Sequence, residues 1–173
     1  MPKQEGGAQL ALVGKLTMAE PSSFLKDVRR EMTEVGQSLA RSGRASSFEV
    51  AMDDGGLVLT VTRSEDAHFV RVTMTGTTEA FLLNVNGTYV DAGTAYDDES
   101  KWDVLRDLLA CLVAYLELDY FEEVSERNGH VVRRVLHLTV PGGTRTVAAN
   151  GGWRGSFGRL LGFRKSIVRP AAR

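Results

Sequence analysis

Residues 48–61, FEVAMDDGGLVLTV, alternate apolar and polar side chains on both sides of the turn Asp54-Gly55. Asp-Gly and Asn-Gly accept the positive φ of a two-residue hairpin turn, so alternation on both sides of such a pair predicts two antiparallel strands. The same pattern recurs around Asn86-Gly87 and Asn128-Gly129. We therefore predict that residues 47–140 consist mainly of β-hairpins.

The predicted strands have one apolar face and one polar face. Successive side chains of a strand point to opposite faces, so this alternation indicates a sheet that is buried on one side and solvated on the other. The predicted strands lie at residues 48–52, 57–61, 70–74, 81–85, 88–91, 120–126 and 132–140.

Two segments have the 3.6-residue periodicity of an amphipathic helix. The first begins at a serine cap, Ser22 or Ser23, and ends near Ser42-Gly43, where glycine favours termination. The second begins at residues 97–99, and its apolar face covers more than half of the helical circumference. We expect that a sheet alone cannot cover this face and that the second cover is the first helix, the tail, or the same helix of another subunit. The face comprises Trp102, Leu105, Leu108, Leu109, Leu112, Val113, Tyr115 and Leu116.

These segments predict an α+β fold with one antiparallel β-meander sheet of five to seven strands and both helices packed on one face. The predicted order is one helix, four or five strands, a second helix and two strands. We expect Pro141-Gly142-Gly143 to close the structured region after the last strand. We place the domain at residues 21–147, after a mobile leader at 1–20 and before a linker and basic amphipathic tail at 148–173. Small partner-binding proteins such as secretion chaperones have a loosely similar element order, but no motif matches them residue by residue.

The composition is that of one globular domain, with 43% hydrophobic and 25% charged residues in a chain of 173. No apolar stretch approaches the roughly 18 residues of a membrane span, and the first residues lack the apolar core of a signal peptide. We therefore expect a cytoplasmic protein. A single cysteine excludes an internal disulfide and a multi-cysteine zinc site.

The C-terminal segment is strongly basic and interleaves aromatic residues with arginines. Residues 151–173 carry six basic residues and no acid, whereas the rest of the chain is acidic. At helical spacing the segment is a basic amphipath that we expect to become ordered only against its own domain, an acidic protein, or anionic lipid or nucleic acid. The candidate partner-binding or anion-binding residues are Trp153, Arg154, Phe157, Arg159, Phe163, Arg164, Lys165 and Arg169.

The polar face of the predicted sheet is a second candidate surface. If the strands pair in chain order, we expect Arg71, Thr73, Arg133 and His137 to be neighbours there. Arginines amid hydroxyl groups can bind an acidic ligand or a partner's loop. Threonines are also common on the solvent-exposed face of a strand, and their presence alone does not require a ligand.

No catalytic or metal-binding motif is present in the sequence, and we expect no metal and no cofactor. His130 and His137 are seven residues apart, which on a strand places them on opposite faces. Cys111 lies within the apolar part of the second helix, where a thiol is usually inert. The acidic residues at 97–103 suit the N-terminus of a helix without any ligand.

Three functional hypotheses follow. The first is a non-enzymatic protein-interaction module, an adaptor, chaperone, inhibitor or immunity-type partner, which self-associates through the apolar face of the helix at 100–118. The second is a peripheral nucleic-acid or anionic-membrane binder that acts through the tail at 153–173. The third is a metal-dependent enzyme that uses the acidic cluster at 97–103.

Overall fold

The computed structural model describes residues 23–63, 68–128, 130–149 and 164–170. These residues form an α+β fold, as predicted, with helices α1 (Ser23–Arg41) and α2 (Asp98–Leu116). The described strands are β1 (Ser47–Asp53), β2 (Gly56–Thr62), β3 (Phe69–Thr75), β4 (Ala80–Val85), β5 (Tyr89–Thr94), β6 (Tyr120–Arg127), β7 (His130–Val140), β8 (Gly143–Ala148) and β9 (Arg164–Val168).

The strands form two antiparallel sheets, whereas we predicted one. The first sheet is the expected meander, β1 to β5 in chain order, and the second has the order β8-β7-β6-β9. Helix α1 packs on β1 and β2, while α2 packs on β3, β4 and β5 and also on β7 of the second sheet. The broad apolar face of α2 therefore contacts both sheets, which explains why the final hairpin does not simply extend the first sheet.

The chain itself covers the apolar face of α2. Leu105, Leu108, Leu112 and Leu116 are buried, and they share one core with α1 and both sheets. Of the covers considered for this face, helix α1 contacts α2, with the rings of Phe24 and Trp102 5.5 Å apart. The second sheet, through β7, is a further cover that the prediction of a single sheet did not include.

The two sheets meet where β5 lies beside β8. The Asp91 carboxylate accepts hydrogen bonds from Nε and Nη2 of Arg145 at 2.9 and 2.8 Å. This bonding to Asp91 raises the pKa of Arg145. An isolated antiparallel bridge also joins Tyr89 to Ala149. These contacts fix the second sheet relative to the first.

The predicted hairpin turns form, although with different backbone conformations. Asn86 and Gly87 have φ of 54° and 69°, as a two-residue turn with two positive φ angles requires. In the first hairpin the positive φ, 130°, falls on Gly56 rather than on the predicted pair. There the Asp53 carboxylate accepts the Gly55 N–H at 2.7 Å and so stabilises the turn.

The end of the domain differs from the prediction. We expected Pro141-Gly142-Gly143 to close the structured region, but these residues lead into β8. We expected helical spacing in the tail, yet residues 164–168 form a strand on the edge of β6. The β-branched pair Ile167-Val168 favours extended backbone, and β6 supplies hydrogen-bonding groups. The predicted leader, 1–20, and residues 150–163 lie outside the described residues.

Neither helix in the described part of the chain is both long enough and apolar enough to cross a membrane.

Candidate functional site

The C-terminal strand β9 docks on an acidic edge. It pairs with β6 in antiparallel register, with Arg164 opposite Glu126 and Val168 opposite Glu122. Strand β6 carries three glutamates, whereas the segment from Arg164 to Arg169 carries three basic residues. Opposite charges on paired strands contribute about 0.2–1 kcal/mol per pair. Of the three covers considered for the tail, the chain's own domain is therefore the one that residues 164–168 contact.

Strand β9 contributes little apolar burial to the fold. Its large side chains, Ile167 and Val168, are 63% and 50% exposed, although they occupy opposite faces of the strand. No strand pairs with its outer edge among the residues that the structure describes. An edge strand with free hydrogen-bonding groups and exposed β-branched residues is a template for binding another chain.

A row of side chains crosses the second sheet from β9 to β8. The Arg169 guanidinium lies 5.9 Å from the centre of the Phe121 ring. That ring stacks on the His137 imidazole, with centroids 4.5 Å apart and 12° between the planes. The His137 Nδ1 lies 3.3 Å from the Thr146 hydroxyl. We call Arg169, Phe121, His137 and Thr146 the cross-sheet row.

The cross-sheet row joins two surfaces that the sequence analysis treated as separate. His137 and Arg133 belong to the predicted sheet face, and Arg169 belongs to the predicted tail site. They come together because β9 adds to β6. Val135 and Ser125, further along this face, are buried. The exposed residues of this face include Ile167 and Arg169 at the β9 side, together with Arg133 on β7 and Thr146 on β8.

Arg71 and Thr73 do not belong to this surface. They lie on β3, which pairs with β2 and β4 in the first sheet, whereas Arg133 and His137 lie on β7 in the second. Arg71 donates to the Thr60 hydroxyl at 3.3 Å. The expectation that these four residues are neighbours assumed one continuous sheet, and the division into two sheets separates them.

The acidic residues at 97–103 act locally on α2. Asp97 is its N-cap and accepts the Ser100 N–H at 2.9 Å and the Ser100 hydroxyl at 2.7 Å. These hydrogen bonds to Ser100 lower the pKa of Asp97. Asp98 pairs with Lys101 at 3.7 Å. No group of three or more potential metal ligands forms within the described residues.

We expect Asp97→Ala to lower the melting temperature at pH 7, because the substitution leaves the first turn of α2 uncapped. Asp97→Asn keeps an acceptor and should retain most of the stability. Since folding lowers the pKa of Asp97, its ionic contribution is present above the unfolded value of about 3.9 and is lost as pH falls through the folded value. Thermal melts from pH 2 to 7 test this, and an unchanged pH profile in Asp97→Asn would contradict it.

Cys111 lies at the floor of a groove between α2 and the turn from β7 to β8. The groove has a volume of about 400 Å³, and Arg106, Asp107 and Arg145 line its polar part. Burial raises the pKa of the Cys111 thiol to about 11. A thiol of this kind is a poor nucleophile, because the thiolate is the reactive form.

Cys111 should react slowly with a thiol reagent in the native protein at pH 8. The raised pKa lowers the thiolate fraction about 100-fold, and burial restricts access further. Absorbance measurements with a disulfide reagent would test this, with the urea-unfolded protein as the fast-reacting control. Equal rates in native and unfolded protein would exclude the buried environment.

A hydrogen-bonded group that sequence analysis missed connects the first sheet to α2. Asn86 accepts the Phe69 N–H and donates to the Tyr115 hydroxyl, both at 2.8 Å. The Tyr115 hydroxyl also lies 3.3 Å from Nδ1 of His68. The Tyr115 ring stacks on the ring of Tyr120. The sequence indicated a turn role for Asn86, but no local signal identified Tyr115 as its partner. These contacts position the start of β3 and the turn after β4 against α2.

Comparison of the chain with protein-family models, curated proteins and solved structures finds no match. The residues described above are therefore the basis on which a function is proposed.

Proposed function

We propose that the protein is a non-enzymatic protein-interaction module, of the adaptor, chaperone, inhibitor or immunity type, that binds its partner at the β6–β9 edge of the second sheet. The observation that carries this proposal is the exposure of Ile167 and Val168 on an edge strand. Exposed apolar side chains beside unpaired strand groups suit the addition of an extended partner segment.

The surroundings of this edge support a binding role. Val131 and Val132, at the start of β7, are also exposed apolar residues on the second sheet. They lie where the β6–β7 ladder is interrupted between Ser125 and Glu126. A bulge bends its strand and increases the local twist, and this one lies between two inner strands of the second sheet, next to the exposed valines.

Self-association through residues 100–118 is not the binding mode proposed. It requires an apolar helix face left open by the chain, and most of this face is buried in the chain's own core, with Trp102 and Val113 partly buried. The partner is therefore proposed at the sheet edge, where exposed apolar side chains are present.

Affinity purification from lysate tests the proposal. The bait is the intact chain, compared with the double variant Ile167→Ser and Val168→Ser. Both positions are exposed, so the change should alter stability by less than about 1 kcal/mol while weakening capture of a specific partner. The matched control is Leu82→Ser with Met52→Ser, two exposed apolar positions on the first sheet.

Loss of the captured protein only in the β9 variant supports the proposal. Equal capture by the β9 variant and the intact chain would show that the edge is not the binding surface. Loss only in the first-sheet control would move the site to the other sheet.

The second candidate function is binding to nucleic acid or to an anionic membrane through the tail. The specific observation is that Arg169 is exposed and lies over an aromatic ring, Phe121. If this function holds, binding to single-stranded DNA or to vesicles with anionic lipid should weaken steeply between 50 and 200 mM salt, roughly tenfold or more. Fluorescence anisotropy and vesicle sedimentation measure this, and no binding at 50 mM salt would exclude it.

A further inference from the structure

We propose that the partner supplies an extended, basic segment that replaces β9 on the edge of β6, so that the chain's own C-terminal strand is an exchangeable occupant of the binding site. This inference rests on the proposed function, because it keeps the β6–β9 edge as the binding site, and it specifies how the partner binds there. Replacement of β9 predicts that Ile167→Ser with Val168→Ser, which weakens the competing strand, increases capture of the partner, whereas addition of the partner outside β9 predicts loss of capture. The expected occupant is a strand with basic residues and β-branched residues, like the Arg164–Val168 segment that now fills the edge.

The charge of the acceptor strand indicates a basic occupant. Strand β6 presents Glu122, Glu123 and Glu126, and β9 pairs along this stretch. Glu122 already lies 3.5 Å from Arg134 on the neighbouring β7. In the register, Glu122 and Glu123 are opposite Val168 and Ile167, and Glu126 is opposite Arg164, so Glu126 is the carboxylate placed to favour a basic strand. An acidic strand at the same position would meet like charges across the ladder, which is destabilising.

The weak attachment of β9 makes exchange feasible. β6 is the one described element with which β9 makes extensive contact. Ile167 and Val168 remain at least half exposed, so little apolar burial retains the strand. Side chains of the central strands, such as Val70 and Leu83, are fully buried by comparison. Strand β9 should therefore leave its sheet at a much lower free-energy cost than β3 or β4.

Because β9 belongs to the same chain as β6, a free strand must bind β6 with higher affinity than β9 does in order to replace it. Fourteen residues, 150–163, separate Ala149 from Arg164. Covalent attachment through a linker of this length gives a strand an effective concentration on the order of millimolar. A free partner strand must therefore bind β6 more tightly than β9 does, and additional contact with Val131 and Val132 would provide that advantage. The tethered strand thereby excludes weak competitors.

A synthetic peptide with the sequence of residues 164–170, RKSIVRP, is the probe. The acceptor is the full chain with Ser166→Pro and Ile167→Pro. Proline lacks the N–H that a ladder requires, and adjacent positions are chosen so that one of the two N–H groups faces β6. We expect the labelled peptide to bind this variant at least tenfold more tightly than the intact chain by fluorescence anisotropy.

The charge requirement has its own controls. The peptide EESIVEP should not bind, and Glu126→Lys in the proline variant should weaken binding of RKSIVRP by about tenfold. The matched control is Glu49→Lys, an exposed glutamate on the edge strand β1 of the first sheet, which should leave binding unchanged. If Glu126→Lys and Glu49→Lys weakened peptide binding equally, the attraction would come from the net charge of the whole protein. That result would overturn the assignment of the binding site to β6.

Hydrogen exchange on the intact chain avoids dependence on the proline variant. Millimolar RKSIVRP should increase deuterium uptake at residues 164–168 as they leave the sheet, while residues 120–127 stay protected. Unchanged uptake at 164–168 together with no binding to the variant would overturn the inference. A concentration-dependent dimer of the intact chain that the proline substitutions abolish would identify a second copy as the occupant and would also overturn it.

The peptide experiments test strand replacement, and the lysate experiment tests the proposed interaction module, so either hypothesis can be rejected without the other. A partner captured through Ile167 and Val168 without peptide exchange would retain the interaction module and reject strand replacement. Peptide exchange without any captured partner would show an acceptor edge in the chain while leaving the cellular interaction unsupported.

Discussion

Gly56→Ala should lower the free energy of unfolding by about 3 kcal/mol or more, because two independent costs arise at this position. Gly56 has φ of 130°, which side-chain-bearing residues rarely adopt. A Cβ atom there would clash with the Met74 carbonyl oxygen, which belongs to the backbone of β3. Relief requires movement of one strand against the other.

Equilibrium urea unfolding of the intact chain and Gly56→Ala would measure this loss. In a chain of this length it corresponds to roughly 6–12 °C in melting temperature. Gly87→Ala is the control, because Gly87 also has a positive φ, 69°, but a Cβ atom added there would have no neighbouring atom within 4 Å. It should cost about 1–2 kcal/mol. Equal losses in the two variants would show that the contact with Met74 does not contribute.

Leu112→Ala should lower the free energy of unfolding by about 2–5 kcal/mol, because it removes a completely buried side chain from α2 and leaves a cavity. Leu82→Ala, on the partly exposed outer face of β4, is the control and should cost less than about 1 kcal/mol. Unfolding measured in urea gives both values. The comparison tests whether the apolar face of α2 forms the core of a single subunit.

Protein concentration distinguishes this core role from a subunit interface. If the chain alone covers α2, the melting temperature of the intact protein should not change over a hundredfold range of concentration. If α2 were also an interface, stability would rise with concentration, since association stabilises the native state by mass action. Such a rise, together with its loss in Leu112→Ala, would restore the hypothesis of self-association through this helix.

Most local elements could be predicted from the sequence because their signals are local. The period-two alternation identified β1 to β5 as a meander, and the period of 3.6 identified α1 and α2. The Asn86-Gly87 turn followed from the backbone freedom of its residues. In contrast, β8 was missed because Pro141, Gly142 and Gly143 were interpreted as the end of the domain.

The candidate site could be predicted only in parts. The sequence identified Arg169 as a tail residue and His137 as a sheet-face residue, but nothing local placed Phe121 between them. Their proximity depends on β9 pairing with β6, two segments that are far apart in the chain. Whether two strands far apart in the chain pair depends on the path of the residues between them. The local hydrophobic periodicity of each strand does not contain this information.

The sequence by itself determined the helices, the meander and its buried face, because backbone propensity and apolar period act over a few neighbouring residues. Only the tertiary structure decided that the strands divide into two sheets and that β7 completes the cover of α2. The width of an apolar helix face indicates how much surface must be buried. It does not indicate whether the same chain or another molecule buries it. That choice depends on contacts between distant segments, and here the chain itself supplies them.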